Sequence, residues 1–271
     1  MVSKATNSCA LFAISLLMVA ALGMTSCGEG IAASAAVQVG DRSIAHATVT
    51  HWMSVIAGET SLPPGQPLPS TPDPPRYSAC IAYYQRFPPR STGGSPPGPI
   101  ELKHECEFEF QKEKLKALYF LISFAWVSGE AKQLGVSVTD EAVKQEIAKL
   151  QSGSSGATVK RFLVGLRGST SDLRLRIKLA LYVTLIQHKL EVESLERHLS
   201  LQQRQHLLTE FGKQFVRRWT AKTSCRSGYV VPICRQYETP KVAPTLVPPS
   251  VPLSDMRASD QPTLGGALST G

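Results

Sequence analysis

The chain has 271 residues, of which 42% are hydrophobic, so its size and composition exclude wholesale disorder and allow one or two folded domains. Its 29 Lys and Arg outnumber its 21 Asp and Glu, and the resulting net charge of +8 favours acidic partners such as anionic lipid or wall polymers. The basic residues are spread along predicted helices, and no zinc-finger, ribonucleoprotein or leucine-zipper signature occurs. Nucleic acid is therefore not predicted as a partner.

Residues 1–26 have the pattern of an export signal. Lys4 supplies the positive charge that precedes the apolar part of such signals. Residues 11–22 (LFAISLLMVAAL) form an apolar run that is too short to cross a bilayer as a helix but typical of a signal-peptide core. The protein is therefore predicted to act outside the cytoplasm.

The end of this signal predicts a lipid anchor. Residues 24–27 (MTSC) resemble a bacterial lipobox, in which small residues precede a cysteine that receives a diacylglycerol group. Cys27 is thus the predicted lipidation site, and residues 27–36 are interpreted as a tether. Ordinary signal cleavage near residues 33–35 (ASA), followed by secretion, is the alternative, and an uncleaved membrane anchor is a third possibility.

Cysteine usage agrees with export. If Cys9 leaves with the signal and Cys27 carries lipid, an even number of cysteines remains for an oxidising compartment. Three pairings of these four are possible, and proximity in sequence favours Cys80–Cys106 and Cys225–Cys234. A zinc site is disfavoured because the spacings are long, no C-x-x-C occurs and the histidines do not cluster with the cysteines. No metal site is predicted.

The predicted folded region spans residues 37–237 and opens with an extended segment. Residues 37–39 (VQV) place two valines around a polar residue, and Gly40-Asp41 predicts a turn. Ser43 is predicted to cap a helix that ends at Gly58.

Proline dominates residues 59–100. The segments 61–75 and 86–100 hold so many prolines that neither a helix nor a central strand is predicted there, because proline lacks an N–H group and fixes φ. We interpret residues 59–100 as an excursion between two helices, pinned to the second of them by the Cys80–Cys106 disulfide.

Helical periodicity then continues along the chain. A long helix is predicted from Glu101 to Leu134, and Thr139 is predicted to cap the next one. A further helix is predicted to begin near Thr158. Residues 168–172 (GSTSD) predict a break and a new cap, from which another helix runs to Leu190.

The last third of the chain combines strongly apolar helices with a polar tail. Residues 179–186 (LALYVTLI) are apolar on nearly all sides, which predicts burial among several neighbours. Residues 191–220 are predicted as further helix, and residues 225–234 as a small disulfide-clipped hairpin. Residues 238–271 are rich in Pro, Ser and Thr and are predicted to be a disordered tail. The apolar side of the helix in 191–220 comprises Leu201, Leu208, Phe211, Phe215 and Trp219.

Three motifs follow the lipobox in a fixed order. Residues 39–44 (VGDRSI) open the first helix, residues 131–143 (AKQLGVSVTDEAV) join two helices, and residues 166–174 (LRGSTSDLR) lead into another. This order resembles the N-terminal helical domain of SurA- and PrsA-type extracytoplasmic foldases, over about residues 37–220. The resemblance implies a mainly α fold, a multi-helix SurA N-terminal-like chaperone domain with a Pro-rich insertion. It also implies a function, the binding of unfolded or secreted polypeptides.

The catalytic part of that family is not recognisable. In those foldases a parvulin-type prolyl-isomerase domain follows the helix that corresponds to residues 173–190, whereas here residues 191–200 lead directly to the next apolar stripe. No glycine-rich or paired-histidine motif of that domain is found, so no catalytic residue and no cofactor are predicted. The alternatives to a non-enzymatic chaperone are a degenerate prolyl isomerase and a structural or adaptor lipoprotein.

Large aromatic residues are the predicted client-binding groups. Trp52, Trp126, Phe162 and Trp219 lie on apolar helical stripes and would bind apolar or aromatic client segments if they share an exposed surface. The competing interpretation is that they belong to the core, since stripes at helical spacing usually bury.

Overall fold

The structure is a computed structural model that describes residues 31–58, 67, 72–88, 97–152 and 168–238. All described residues belong to a single compact unit that begins at Ile31. The predicted signal peptide, Cys27, the helix near Thr158 with Phe162, and the tail beyond Glu238 lie outside the described residues.

Helices dominate the described part of the chain, which confirms the predicted mainly α fold. A small antiparallel sheet in the order β2–β1–β3 accompanies them. The elements are β1 (Ala35–Val39), β2 (Arg42–Ala45), α1 (His46–Ala57), α2 (Ser78–Arg86), α3 (Pro99–Gln133), α4 (Asp140–Ser152), α5 (Thr170–Glu196), α6 (Leu201–Ala221) and β3 (Thr223–Cys225).

The sheet joins the two ends of the folded region. The predicted turn at Gly40-Asp41 is confirmed: Gly40 has φ of 57°, a left-handed conformation that glycine adopts without strain, and β1 and β2 pair on either side of it. On its other edge β1 pairs with β3, with Val39 opposite Thr223. Ala35 and Ala36 are buried in β1, so the tether predicted for residues 27–36 is wrong at its C-terminal end.

The start of α1 differs from the prediction. Ser43 does not cap the helix, because it lies in β2 opposite Gln38, and the helix begins only at His46. Hairpin pairing buries Ile44 against the core, which favours strand over an earlier helix start. The predicted helix end at Gly58 is confirmed.

The long helix α3 is the centre of the core. It begins at Pro99, a residue tolerated in the first helical turn, two residues before the predicted start. α1 and α5 pack against it, and Leu118 and Ile122 are fully buried at this contact. Trp126 Nε1 donates to Thr223 Oγ1 over 2.7 Å, which ties α3 to the sheet.

The predicted caps of the later helices are confirmed. Thr139 Oγ1 accepts from the backbone N–H of Ala142 over 3.1 Å at the start of α4. At the start of α5, Ser169 and Asp172 form a reciprocal capping box. The predicted boundary at Leu190 is wrong, because α5 continues to Glu196 and the break lies at residues 197–200.

Both predicted disulfides are present. Cys80–Cys106 fixes α2 to α3, and Tyr77 is buried beside it in a small cluster separate from the main core. Cys225–Cys234 fixes the segment after β3. The hairpin predicted for residues 225–234 is wrong, because β3 ends at Cys225 and the residues that follow it form turns, while β3 itself pairs with β1.

Candidate functional site: an exposed apolar surface on α5 and α6

The three tryptophans proposed as client-binding residues are core residues. Trp52, Trp126 and Trp219 are all buried in the main hydrophobic cluster, and Phe162 lies outside the described residues. The core interpretation therefore holds for the tryptophans in this conformation. The exposed apolar surface therefore consists of other side chains.

Trp219 is held by a buried carboxylate. Its Nε1 donates to Glu130 Oε2 over 2.7 Å, and Arg218 Nη2 donates to Glu130 Oε1 over 2.6 Å. Glu130 lies on α3 and is buried, so an ion pair and an indole hydrogen bond satisfy a charge that would otherwise be costly to bury. These contacts fix the C-terminal end of α6 to α3.

The apolar stripe of α6 runs from the core into solvent. Trp219, at the C-terminal end of the helix, is 6% exposed, whereas Leu208 is 42% exposed and Leu201, at the N-terminal end, is 68% exposed. Helical geometry places Leu201, Leu208 and Trp219 on the same face. One continuous stripe therefore serves as core at one end and as surface at the other.

α5 also carries an apolar stripe that the described residues leave uncovered. Leu185 and Val192 lie seven residues apart and Leu195 three further on, a spacing that puts them on one side of the helix, and all three are exposed. Ile186 and Leu190 point to another side and are buried in a cluster with Ala131 of α3.

This two-sided pattern corrects the predicted burial of residues 179–186. Leu179 and Ile186 are buried, but Leu185 is exposed, so the all-round apolar stretch is covered on one side only. The physical reason is that, among the described elements, α3, α4 and α6 pack against α5 without covering the side that carries Leu185. A stretch that the sequence assigns to the interior thus contributes to the surface.

The two stripes belong to one helical hairpin. Four residues, 197–200, connect α5 to α6, and Ser200 caps α6 together with Gln203. Phe211 of α6 packs against the cluster of Ala131, Ile186 and Leu190, which brings α6 next to the C-terminal half of α5. We define the arm surface as five of the six exposed aliphatic residues of this hairpin: Leu185, Val192, Leu195, Leu201 and Leu208. The sixth, Val216, lies nearer the C-terminal end of α6 and is not included.

The sequence predicted an apolar side for α6 but not its exposure, and it did not predict the exposed face of α5. Leu201 and Leu208 stand in the predicted apolar side of residues 191–220. Leu185 and Val192 are seven residues apart and lie on a different side of the helix from Ile186 and Leu190. This spacing indicates that α5 has two apolar faces.

A polar cluster joins α1 to the start of α5. Asp172 Oδ1 lies 2.8 Å from His51 Nε2, and Asp172 Oδ2 accepts from Ser169 Oγ over 2.6 Å. Both partners contact the carboxylate instead of each other, so the histidine is not placed to activate the serine as a nucleophile. The cluster is therefore a helix cap with an interhelical bond.

Asp172 is expected to make folding stability depend on pH. Its burial favours the neutral form, but hydrogen bonds from Ser169 and His51 outweigh burial and hold the pKa of Asp172 below its ordinary value of 3.8. A depressed folded-state pKa stabilises the fold above the unfolded-state pKa, and this contribution disappears as pH falls through the folded-state pKa. Between about pH 5 and pH 2 the free energy of unfolding of Asp172→Asn should therefore fall less than that of the wild type.

Urea unfolding across this pH range measures the effect, and Asp140→Asn provides the control because Asp140 is an exposed acid at the start of α4. At neutral pH, Asp172→Asn should lose about 1–3 kcal/mol, since it weakens charge-assisted bonds at a buried position. Parallel pH profiles for wild type and Asp172→Asn would contradict the assignment.

Further observations bear on other kinds of site. Within residues 31–58, 72–88, 97–152 and 168–238, no group of three or more His, Cys, Asp or Glu side chains is arranged to hold a metal ion. In the same part of the chain no helix has the length and hydropathy needed to cross a bilayer. The two disulfides are compatible with an extracytoplasmic location. No protein-family model, no curated protein and no solved structure matches this chain.

Proposed function

We propose that this protein is a non-enzymatic chaperone that acts outside the cytoplasm and binds extended apolar segments of unfolded or secreted polypeptides on the arm surface. The observation that carries the proposal is the apolar stripe of α6, in which Trp219 is buried in the core while Leu208 and Leu201 are exposed. Keeping aliphatic side chains in water costs about 25 cal/mol per Å², and clustered exposed apolar residues usually mark a binding surface.

The chemistry of the arm surface favours a polypeptide client. Its five side chains are aliphatic, so they recognise apolar surface without demanding a particular hydrogen-bonding partner. The net charge of +8 opposes association between two copies of the chain and attracts clients that carry acidic residues. An unfolded client segment is therefore a better occupant than a second copy.

The disulfides and the predicted export signal support a site of action outside the cytoplasm. The disulfides favour an oxidising compartment, and lipidation at Cys27 would hold the protein at the outer face of the cytoplasmic membrane. Clients would then be captured as they emerge from the membrane.

An aggregation assay tests the proposal. Purified protein is expected to slow the aggregation of a chemically denatured client, and Leu201→Ser/Leu208→Ser should remove most of this effect. Each leucine contributes about 1 kcal/mol of apolar burial to client binding, so the double variant should bind about 30-fold more weakly. Light scattering follows aggregation, and fluorescence anisotropy of a labelled apolar peptide gives the affinity.

The chain offers a matched control on α3. Ile100 and Phe108 are also exposed apolar residues, but they lie at the N-terminal end of α3, outside the arm surface. Ile100→Ser/Phe108→Ser should leave both readouts unchanged. Equal losses in the two double variants would show nonspecific hydrophobic binding, and a prolyl-isomerisation rate above background would overturn the non-enzymatic assignment.

A further inference from the structure

A cleft of about 370 Å³ opens where the β1–β2 turn meets the C-terminal ends of α3 and α6. Its apolar part is formed by Val39, Ala125 and Trp219. Gly129 also lines it, and a Cβ at this position would lie 2.1 Å from Cη2 of Trp219, so glycine is what lets the indole lie against α3. The volume falls within the usual range of small-molecule sites.

The charged residues of this cleft are mostly basic. Arg42, Lys132 and Lys222 line it together with a single acid, Asp41, so the cleft carries an excess of two positive charges. In the part of the chain that the structure describes, none of the three cations forms an ion pair with a carboxylate. Arg42 Nη1 donates to Ser128 Oγ over 2.6 Å, which leaves other guanidinium donors of Arg42 unused by that bond.

Helix dipoles account for part of this arrangement. Lys132 lies in the last turn of α3 and Lys222 is the C-cap of α6, where cations compensate the partial negative charge of helix C-termini. Arg42 lies in β2 and has no such role. Because both helix C-termini end at this cleft, compensation accounts for the two lysines there but not for Arg42.

We propose that this cleft binds a small carboxylate that carries an apolar group, such as the C-terminal residue of a polypeptide with an aliphatic side chain. Arg42 offers the planar fork of donors that matches a carboxylate, and the two lysines add compact positive charges. The apolar side chain would then contact the small exposed parts of Trp219 and Ala125, next to the Lys222 ammonium, which lies 5.0 Å from the centre of the Trp219 ring. This site lies at the base of α6 and does not depend on the arm surface.

Titration of the ¹⁵N-labelled protein with N-acetyl-leucine tests the proposal. The amide resonances of Gly40 and Gly129, which both line the cleft, should shift saturably, and N-acetyl-leucinamide, which lacks the carboxylate, should shift neither. Lys132→Gln/Lys222→Gln should weaken N-acetyl-leucine binding about tenfold or more, because each lysine supplies a charge-assisted contact. Lys103→Gln/Lys116→Gln removes the same charge from exposed positions on α3 and should leave the affinity unchanged.

Other outcomes would overturn the assignment. Equal binding of the acid and the amide, or equal weakening in the two double variants, would exclude a specific carboxylate site. Saturable shifts of the same residues with inorganic phosphate at comparable affinity would show that the cleft takes any anion. The single variants Lys132→Gln and Lys222→Gln provide the same test if the double variant is poorly stable. Failure of the aggregation assay would not affect these measurements.

Discussion

Replacement of Gly129 by alanine is expected to destabilise the protein by about 1–3 kcal/mol, the usual range for overpacking a core. The added Cβ would lie 2.1 Å from Cη2 and 2.7 Å from Cζ2 of Trp219. The indole is buried, and its Nε1 is held by Glu130. Trp219 therefore cannot move aside without weakening a buried hydrogen bond.

Urea or thermal unfolding, followed by tryptophan fluorescence, measures this effect. Gly212→Ala is the matched control, because Gly212 also lies within a helix but a Cβ there would meet nothing within 4 Å. Alanine has the higher helix propensity, so Gly212→Ala should stabilise the protein by up to about 1 kcal/mol. Equal effects of the two substitutions would contradict the close packing of Trp219 against α3.

The packing of Trp219 against α3 gives the two ends of α6 different roles. Gly129, Glu130 and Arg218 fix the base of the helix through Trp219, whereas Leu201 and Leu208 lie at the other end in solvent. Substitutions at the base should therefore change stability, and those at the exposed end should change binding. This separation makes the leucine variants suitable tests of the proposed function.

Several local features of the fold were predictable from sequence because local chemistry determines them, whereas the Ser43 cap failed because strand pairing claims that residue. Thr139 and Ser169 precede helices at cap positions, and their side chains accept the expected backbone hydrogen bonds. Gly40-Asp41 forms the predicted turn. Each of these depends on a few neighbouring residues, so the sequence contains the whole interaction.

Apart from the two disulfides, features that join residues distant in sequence were not predictable. The strand β3 pairs with β1, and Trp126 bonds to Thr223, 97 positions away. Glu130 looks like a solvent-facing residue of a long helix, yet it is buried because Arg218 and Trp219 reach it from α6. Periodicity shows that a helix has an apolar side but not which neighbour covers it.

The candidate site shows the same limit. The predicted apolar side of α6 is real, but only the three-dimensional position of α3 and the sheet decides that Trp219 is core and Leu201 is surface. Aromatic size directed the sequence prediction toward tryptophans, and large aromatics contribute most when they are buried. The exposed residues of the arm surface are instead smaller aliphatic side chains.

Removal of the Cys80–Cys106 disulfide should release α2 while leaving the main core folded. The two cysteines are 26 positions apart, and closing a loop of this length stabilises the enclosed structure by about 3–4 kcal/mol on the chain-entropy model. Tyr77, Cys80 and Cys106 form a small cluster of their own, so α2 has little other burial to hold it. Cys80→Ala/Cys106→Ala should therefore lower the local opening free energy of α2 by that amount.

Amide hydrogen exchange resolves this local effect. The N–H of Ile81, which donates to the carbonyl of Tyr77 over 2.9 Å, should exchange much faster in the variant, whereas amides around Leu118 in α3 should keep their protection. The comparison is Cys225→Ala/Cys234→Ala, because Cys225 and Cys234 belong to the main core. That variant should lose about 3 kcal/mol of global stability and expose Leu118 as well. If both variants lowered protection equally throughout, α2 and the main core would form one cooperative unit, contrary to the separate clusters seen in the structure.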